Sequence, residues 1–122
     1  MSELGNLVEM ADSLSFENNA FTSDLPTELG RLSQLKSYFD VSRNKFASIP
    51  TELGNLDKMI SWFDLAEVNA LPCPIPTELG RLRKIDSRLR LPYGVFSSTI
   101  PTELGNLEQM TYDLDLDSND LR

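Results

Sequence analysis

Apolar residues recur along this chain at fixed distances from one heptapeptide. Proline-threonine-glutamate-leucine-glycine-(asparagine or arginine)-leucine begins at Pro26, Pro50, Pro76 and Pro101, and Met1 to Leu7 repeats it without the proline and threonine. The five starts, at 1, 26, 50, 76 and 101, lie 25, 24, 26 and 25 residues apart. Leucine stands three places after each start (Leu4, Leu29, Leu53, Leu79, Leu104) and again six places after it (Leu7, Leu32, Leu56, Leu82, Leu107). Nine places on stand Met10, Leu35, Met59, Ile85 and Met110. At thirteen places an apolar-x-apolar pair begins: Leu14/Phe16, Phe39/Val41, Phe63/Leu65, Leu89/Leu91 and Leu114/Leu116. Alternation of period 2 predicts a short strand with one buried face. One strand per repeat predicts five parallel strands stacked about 4.8 Å apart.

Beyond the pair, asparagine follows at Asn19, Asn44 and Asn119, while the third copy has Val68, with Asn69 one place late, and the fourth has Gly94. A buried asparagine at this corner can bond backbone groups of neighbouring turns that would otherwise be orphaned. Phe21, Phe46, Leu71, Phe96 and Leu121 come next, and Leu25, Ile49, Ile75 or Ile100 closes each repeat. Proline fixes φ and glycine permits a close or left-handed backbone, so each heptapeptide predicts a tight turn.

Periods of 20 to 29 residues with leucine at fixed offsets are the mark of leucine-rich repeats. The pattern IPTELGxLxxM…LxLxxNxF resembles the plant-type leucine-rich repeat family, whose repeat reads LxxLxxLxLxxNxLxGxIPxxLGxL, over essentially the whole chain. The resemblance implies an α/β repeat: a leucine-rich repeat solenoid of about five turns of 24–26 residues, the last incomplete. Short parallel strands would form the concave face, and irregular or 3₁₀ segments the convex one. It also implies recognition of peptides, proteins or small signals, as in receptor ectodomains, receptor kinases and their non-kinase relatives.

Two departures from the family stand out. Its proline precedes the first strand leucine by 12 residues, and here the distance is 13 in every copy. Ser13, Tyr38, Trp62, Arg88 and Asp113 fill the family's leucine position, which predicts a longer corner before each strand. The family also carries cysteine-paired caps, and no obvious caps are present. Uncapped terminal turns would expose Leu4, Leu7, Leu114 and Leu116, which suits a piece of a longer receptor or receptor-like kinase, or an array that self-associates end to end.

At 122 residues there is room for one domain, here a single array over 1–122. A net charge of −8 argues against nucleic acid, which needs clustered Lys and Arg, and against anionic membranes. No apolar run approaches the roughly 20 residues that span a bilayer. No signal peptide is visible, Cys73 is the only cysteine, and there is no glycosylation sequon. These point to a reducing compartment, whereas the resemblance points to the cell surface, and localisation stays open.

Catalytic chemistry finds little to use. With no histidine, no Ser-His-Asp or Cys-His site can form. Cys73 lies between two prolines with no basic neighbour to activate it. Asp113, Asp115 and Asp117 lack the glycine and glutamate of a calcium loop and suit a solvated strand. No cofactor is expected, and no enzyme.

The exposed strand positions are the candidates for binding. They form rows across the sheet: Ser13, Tyr38, Trp62, Arg88, Asp113; then Ser15, Asp40, Asp64, Arg90, Asp115; then Glu17, Ser42, Ala66, Pro92, Asp117. Tyr38, Asp40, Trp62, Asp64, Arg88, Arg90 and Tyr93 are the expected partner-binding set, because exposed aromatics beside arginine mark binding hot spots. Trp62 has a second reading, burial in the extended corner. Five bases over 81–90 lie between acidic stretches over 1–25 and 103–120. They are either a solvated face, a surface for a partner of mixed charge, or a contact to the acidic end of another copy.

Overall fold

The structure, a computed structural model, describes residues 2–68, 72–91, 93 and 96–122. The sequence-based placements of Asn69, Leu71, Pro92 and Gly94 lie outside these residues.

Each heptapeptide forms a 3₁₀ segment: Ser2–Asn6, Thr27–Arg31, Thr51–Asn55, Thr77–Arg81 and Thr102–Asn106. The cause is the leucine spacing. A 3₁₀ helix has three residues per turn, so side chains at i and i+3 eclipse. Leucines three places apart therefore fall on one side, and Leu29, Leu32 and Leu35 are all fully buried. The backbone bonds have the same period: the Leu29 amide donates to the Pro26 carbonyl (3.2 Å), Leu32 to Leu29 (3.1 Å) and Leu35 to Leu32 (3.0 Å). Pro26 precedes the segment at φ −62° and ψ 131°, within the narrow φ range its ring allows.

The glycine of each heptapeptide answers to its neighbour. A Cβ on Gly54 would stand 2.7 Å from Glu78 Cβ, and one on Gly80 would stand 2.8 Å from Glu103 Cβ. Successive 3₁₀ segments thus nest backbone against backbone, which is why the glutamate and glycine recur together.

The strands are β1 (Leu14–Ser15), β2 (Tyr38–Asp40), β3 (Trp62–Asp64), β4 (Arg88–Arg90), β5 (Ser97–Ser98), β6 (Asp113–Asp115) and β7 (Asp120–Leu121). A parallel sheet runs β1-β2-β3-β4-β6, and β5 pairs with β7 in a second, two-stranded sheet. Register follows the repeat: Phe39 lies opposite Leu14 and Phe63, and Leu89 opposite Phe63 and Leu114. Phe39 and Phe63 stack at 5.1 Å with 17° between their planes, and Phe21 stacks on Phe46 at 5.9 Å.

The added residue per turn lies elsewhere than in a loose corner. Tyr38, Trp62, Arg88 and Asp113 are the first residues of their strands, paired in register. The ladder also extends upstream of them, with the Ile60 amide on the Lys36 carbonyl and the Asp86 amide on the Ile60 carbonyl, both at 2.7 Å. The extra residue is absorbed as more parallel pairing, because a stacked chain can bond its neighbour wherever both run extended.

The asparagine corner forms as its chemistry dictates. Asn44, buried, donates from Nδ2 to the carbonyls of Phe16 (3.0 Å), Val41 (2.9 Å) and Ser42 (3.1 Å), and its Oδ1 accepts the Phe21 amide (3.4 Å). Asn119 repeats this on Leu91, Leu116 and Phe96. In the third turn the same place is held by Val68, which is buried. At the ends, Leu7 and Leu114 are exposed as expected, but Leu4 and Leu116 pack partly against the core.

Candidate functional site

The open face of the five-stranded sheet carries the expected rows, with one correction. Tyr38 pairs with Trp62, Trp62 with Arg88 and Arg88 with Asp113; Asp40 pairs with Asp64, Asp64 with Arg90 and Arg90 with Asp115. The third row is not an open one: among its described residues Ser42 and Ala66 are buried, and Glu17 and Asp117 are exposed. The aspartates cause this. Asp40 Oδ1 accepts the Ser42 amide (3.0 Å), Asp64 Oδ1 the Ala66 amide (2.9 Å) and Asp115 Oδ1 the Asp117 amide (3.1 Å). A side chain bonding the amide two residues on turns the chain off the strand.

Trp62 stands on the strand and is 49% exposed, so it is not folded into a corner. Its ring centroid lies 6.1 Å from that of Tyr38, with the planes tilted by 40°. The Arg88 guanidinium lies 5.9 Å from the Trp62 centroid on the other side, within cation–π range. Two aromatics and a guanidinium thus run side by side over three adjacent strands.

The arginines are engaged within the chain. Arg88 Nε meets Asp113 Oδ2 at 3.3 Å. Arg90 Nη1 meets Asp64 Oδ2 at 3.0 Å, and Arg90 Nε meets Asp115 Oδ2 at 3.5 Å. Burial works against the Arg90 charge, but Asp64 and Asp115 outweigh it and hold its pKa above the ordinary arginine value. Burial also pushes the Asp64 carboxyl upward, with Asp40 adding to the rise; the Ala66 amide and Arg90 oppose it without cancelling it. Of the five bases over 81–90, Arg81 closes a 3₁₀ segment, and Arg83 and Lys84 follow it, away from the strand rows.

A rim that the sequence reading passed over borders this face. Asn18, Arg43, Glu67, Tyr93 and Ser118, each seventeen places after its repeat start, all have left-handed backbones with φ of 52° to 58°. Arg43 bridges turns, at 3.2 Å from Glu17 Oε1 and 4.0 Å from Glu67 Oε1. Tyr93, from the expected set, belongs to this rim and is 59% exposed. The shared offset was the available signal. Between rim and strands lies a pocket of about 260 Å³, lined by Asp40, Arg43, Trp62, Asp64, Arg90 and Tyr93 among others. It brings together every expected site residue except Tyr38, which flanks it through Trp62. That volume is below the roughly 300–1,000 Å³ of small-molecule sites.

Among the described residues, no group of three or more His, Cys, Asp or Glu converges to hold a metal ion. Nor is any helix there long and apolar enough to cross a membrane.

No family model and no curated protein matches the sequence. Solved structures do match. A leucine-rich repeat protein of Leptospira interrogans is 28% identical, with a TM-score of 0.77, over 99% of this chain and 29% of that one. The PEPR1–AtPEP1 structure is 27% identical, with a TM-score of 0.84, over 98% of this chain and 16% of that one. The ectodomain of the plant membrane receptor kinase GASSHO1/SCHENGEN3 of Arabidopsis thaliana, in complex with CASPARIAN STRIP INTEGRITY FACTOR 2, is 28% identical, with a TM-score of 0.61, over 98% of this chain and 17% of that one. The chain spans less than a third of the length of each. Repeat spacing, 3₁₀ segments, strand register and these likenesses agree: the chain folds as a leucine-rich repeat solenoid, similar to the plant receptor ectodomains and to the bacterial repeat protein.

Proposed function

We propose that this chain is a non-catalytic recognition module that binds a protein or peptide segment laid across its open sheet, through Tyr38, Asp40, Trp62, Asp64, Arg88, Arg90 and Tyr93. One observation carries the reading: Tyr38 and Trp62 stand side by side and exposed on a parallel sheet, beside a side-chain-sized pocket. Exposed aromatics offer large contact area at little entropic cost, since each fixes only two side-chain torsions. The PEPR1–AtPEP1 structure and the GASSHO1/SCHENGEN3 ectodomain, each solved with its partner, support the same use of the fold here. Because those proteins extend well beyond the matched part, a second reading follows: the chain acts as one segment of a longer receptor or receptor-like kinase.

Selection of a phage-displayed random peptide library on the immobilised chain tests the reading. Peptides recovered on the wild type should bind Trp62→Ala at least about tenfold more weakly, the loss of one hot-spot anchor. Equal binding to both proteins overturns it.

A further inference from the structure

Among the described residues, the charges on the open face are paired except for Asp40 and for Asp117, which follows the edge strand β6. Arg43 sits between Glu17 and Glu67, Arg88 against Asp113, and Arg90 between Asp64 and Asp115. Asp40 has no cationic partner among the described residues. Its neighbours across the sheet are Ser15 and Asp64, neither of which can supply one.

The next turn shows how such a carboxylate is completed. Asp40 and Asp64 hold the same place in consecutive repeats and use Oδ1 in the same way, for the amide two residues on. Asp64 Oδ2 then takes Arg90 Nη1 from the following strand at 3.0 Å. The residue that would do this for Asp40 is Asp64 itself, a like charge. A similar template exists for the aromatics. Trp62 carries the Arg88 guanidinium on its β4 side, and on its β2 side it faces Tyr38, beside Asp40.

From this we propose that the bound segment delivers an arginine side chain to Asp40, its guanidinium paired with the carboxylate and lying against Tyr38 and Trp62. The inference rests on the open-sheet reading above and names the chemistry that the sheet selects. Arginine suits the place better than lysine, because a planar fork meets a carboxylate bidentately and stacks on a ring. Arg88 and Arg90, already neutralised by aspartates, are poor receptors for an acidic group, since an incoming anion would have to displace Asp113 or Asp115. The surface is thus selective for a basic residue despite the arginine pair at its centre.

Two nonapeptide libraries test this, random except for a fixed central residue: arginine in one, citrulline, its neutral isostere, in the other. Retention by the immobilised full chain is compared for the wild type, Asp40→Asn, Glu108→Gln and Trp62→Ala, each checked for fold by circular dichroism. Asn retains the oxygen that accepts the Ser42 amide, so Asp40→Asn removes charge and not the turn. Glu108→Gln removes one exposed charge away from the sheet. The wild type should retain the arginine library about tenfold better than the citrulline library, a difference of one charge-assisted pair. Asp40→Asn should bring the ratio near one, Glu108→Gln should leave it, and Trp62→Ala should lower retention of both libraries. Equal retention of the two libraries by the wild type, or a ratio that falls as far in Glu108→Gln as in Asp40→Asn, overturns the inference while leaving the open-sheet reading intact if Trp62→Ala still abolishes capture. Retention of both libraries indifferent to Trp62→Ala overturns the reading and the inference with it.

Discussion

Gly30 lies so close to Glu52 of the following turn that a Cβ on the glycine would stand 2.7 Å from the glutamate Cβ, with the Glu52 carbonyl nearer still. Gly54 and Gly80 repeat the relationship, whereas Gly105 has nothing within 4 Å. Gly54→Ala should therefore cost about 1–3 kcal/mol by overpacking a backbone contact that cannot yield. Gly105→Ala should be neutral, or stabilise by about 0.4–1 kcal/mol through the unfolded chain. Urea denaturation of both variants decides; equal losses would refute the packing account.

Asn44 carries four bonds inside the stack, two of them to the preceding turn. Asn44→Ala orphans several buried backbone groups at about 1–3 kcal/mol each, so the variant should lose at least about 2 kcal/mol. Amide exchange should speed at Phe21 more than at Phe96, whose partner Asn119 is untouched. Uniform acceleration across both sites would contradict a local role.

Arg88 and Arg90 should separate sharply. The Arg88–Asp113 pair is exposed on both sides, and exposed ion pairs contribute about 0–1 kcal/mol. Asp64 is largely buried, so Arg90→Ala leaves it without its cation and should cost about 1–3 kcal/mol. Thermal unfolding of the two alanine variants measures this. An Arg88→Ala loss as large as that of Arg90→Ala would count against it.

Asp64 also gives a pH signature. Its folded-state pKa is raised, chiefly by burial, with Asp40 on β2 and Arg90 on β4 facing it and Asp115 on β6 sharing that arginine. The folded chain therefore holds the proton more tightly than the unfolded one. Stability from this group is fully present below the ordinary carboxylate pKa, falls as pH rises through the raised value, and is level above it. Against Asp64→Asn, which does not titrate, the wild type should lose ground over that window alone. Denaturation of both proteins from acid to neutral pH measures the difference, and a gap that grows in favour of the wild type with rising pH would be the wrong sign.

The sheet rows were legible because a repeat of near-constant length places equal offsets side by side: Tyr38 beside Trp62 and Asp40 beside Asp64 need only the 24-residue interval. The 3₁₀ segments were expected from the family resemblance, and leucines three apart fit them. What escaped depends on geometry that offsets alone do not carry. The basic stretch over 81–90 looked like one patch, yet it divides between a 3₁₀ segment with the residues after it and strand β4, and the strand part is neutralised by acids of other turns. Ser42 and Ala66 looked exposed by alternation, but the aspartate two residues earlier ends the alternation there. Arg43 and Glu67 went unnoticed because a left-handed backbone is set by neighbouring turns and has no fixed residue type here.

Each 3₁₀ segment touches only the one before and the one after it, and the strands of the main sheet do the same. Under load this makes the molecule a chain of links in series. Pulled from its two ends, it should yield turn by turn from whichever end is weaker. Each rupture would release about one repeat and lengthen the tether by up to roughly 80–90 Å. The inner turns would keep the Tyr38–Trp62 pair in register until the tension reached their own interface.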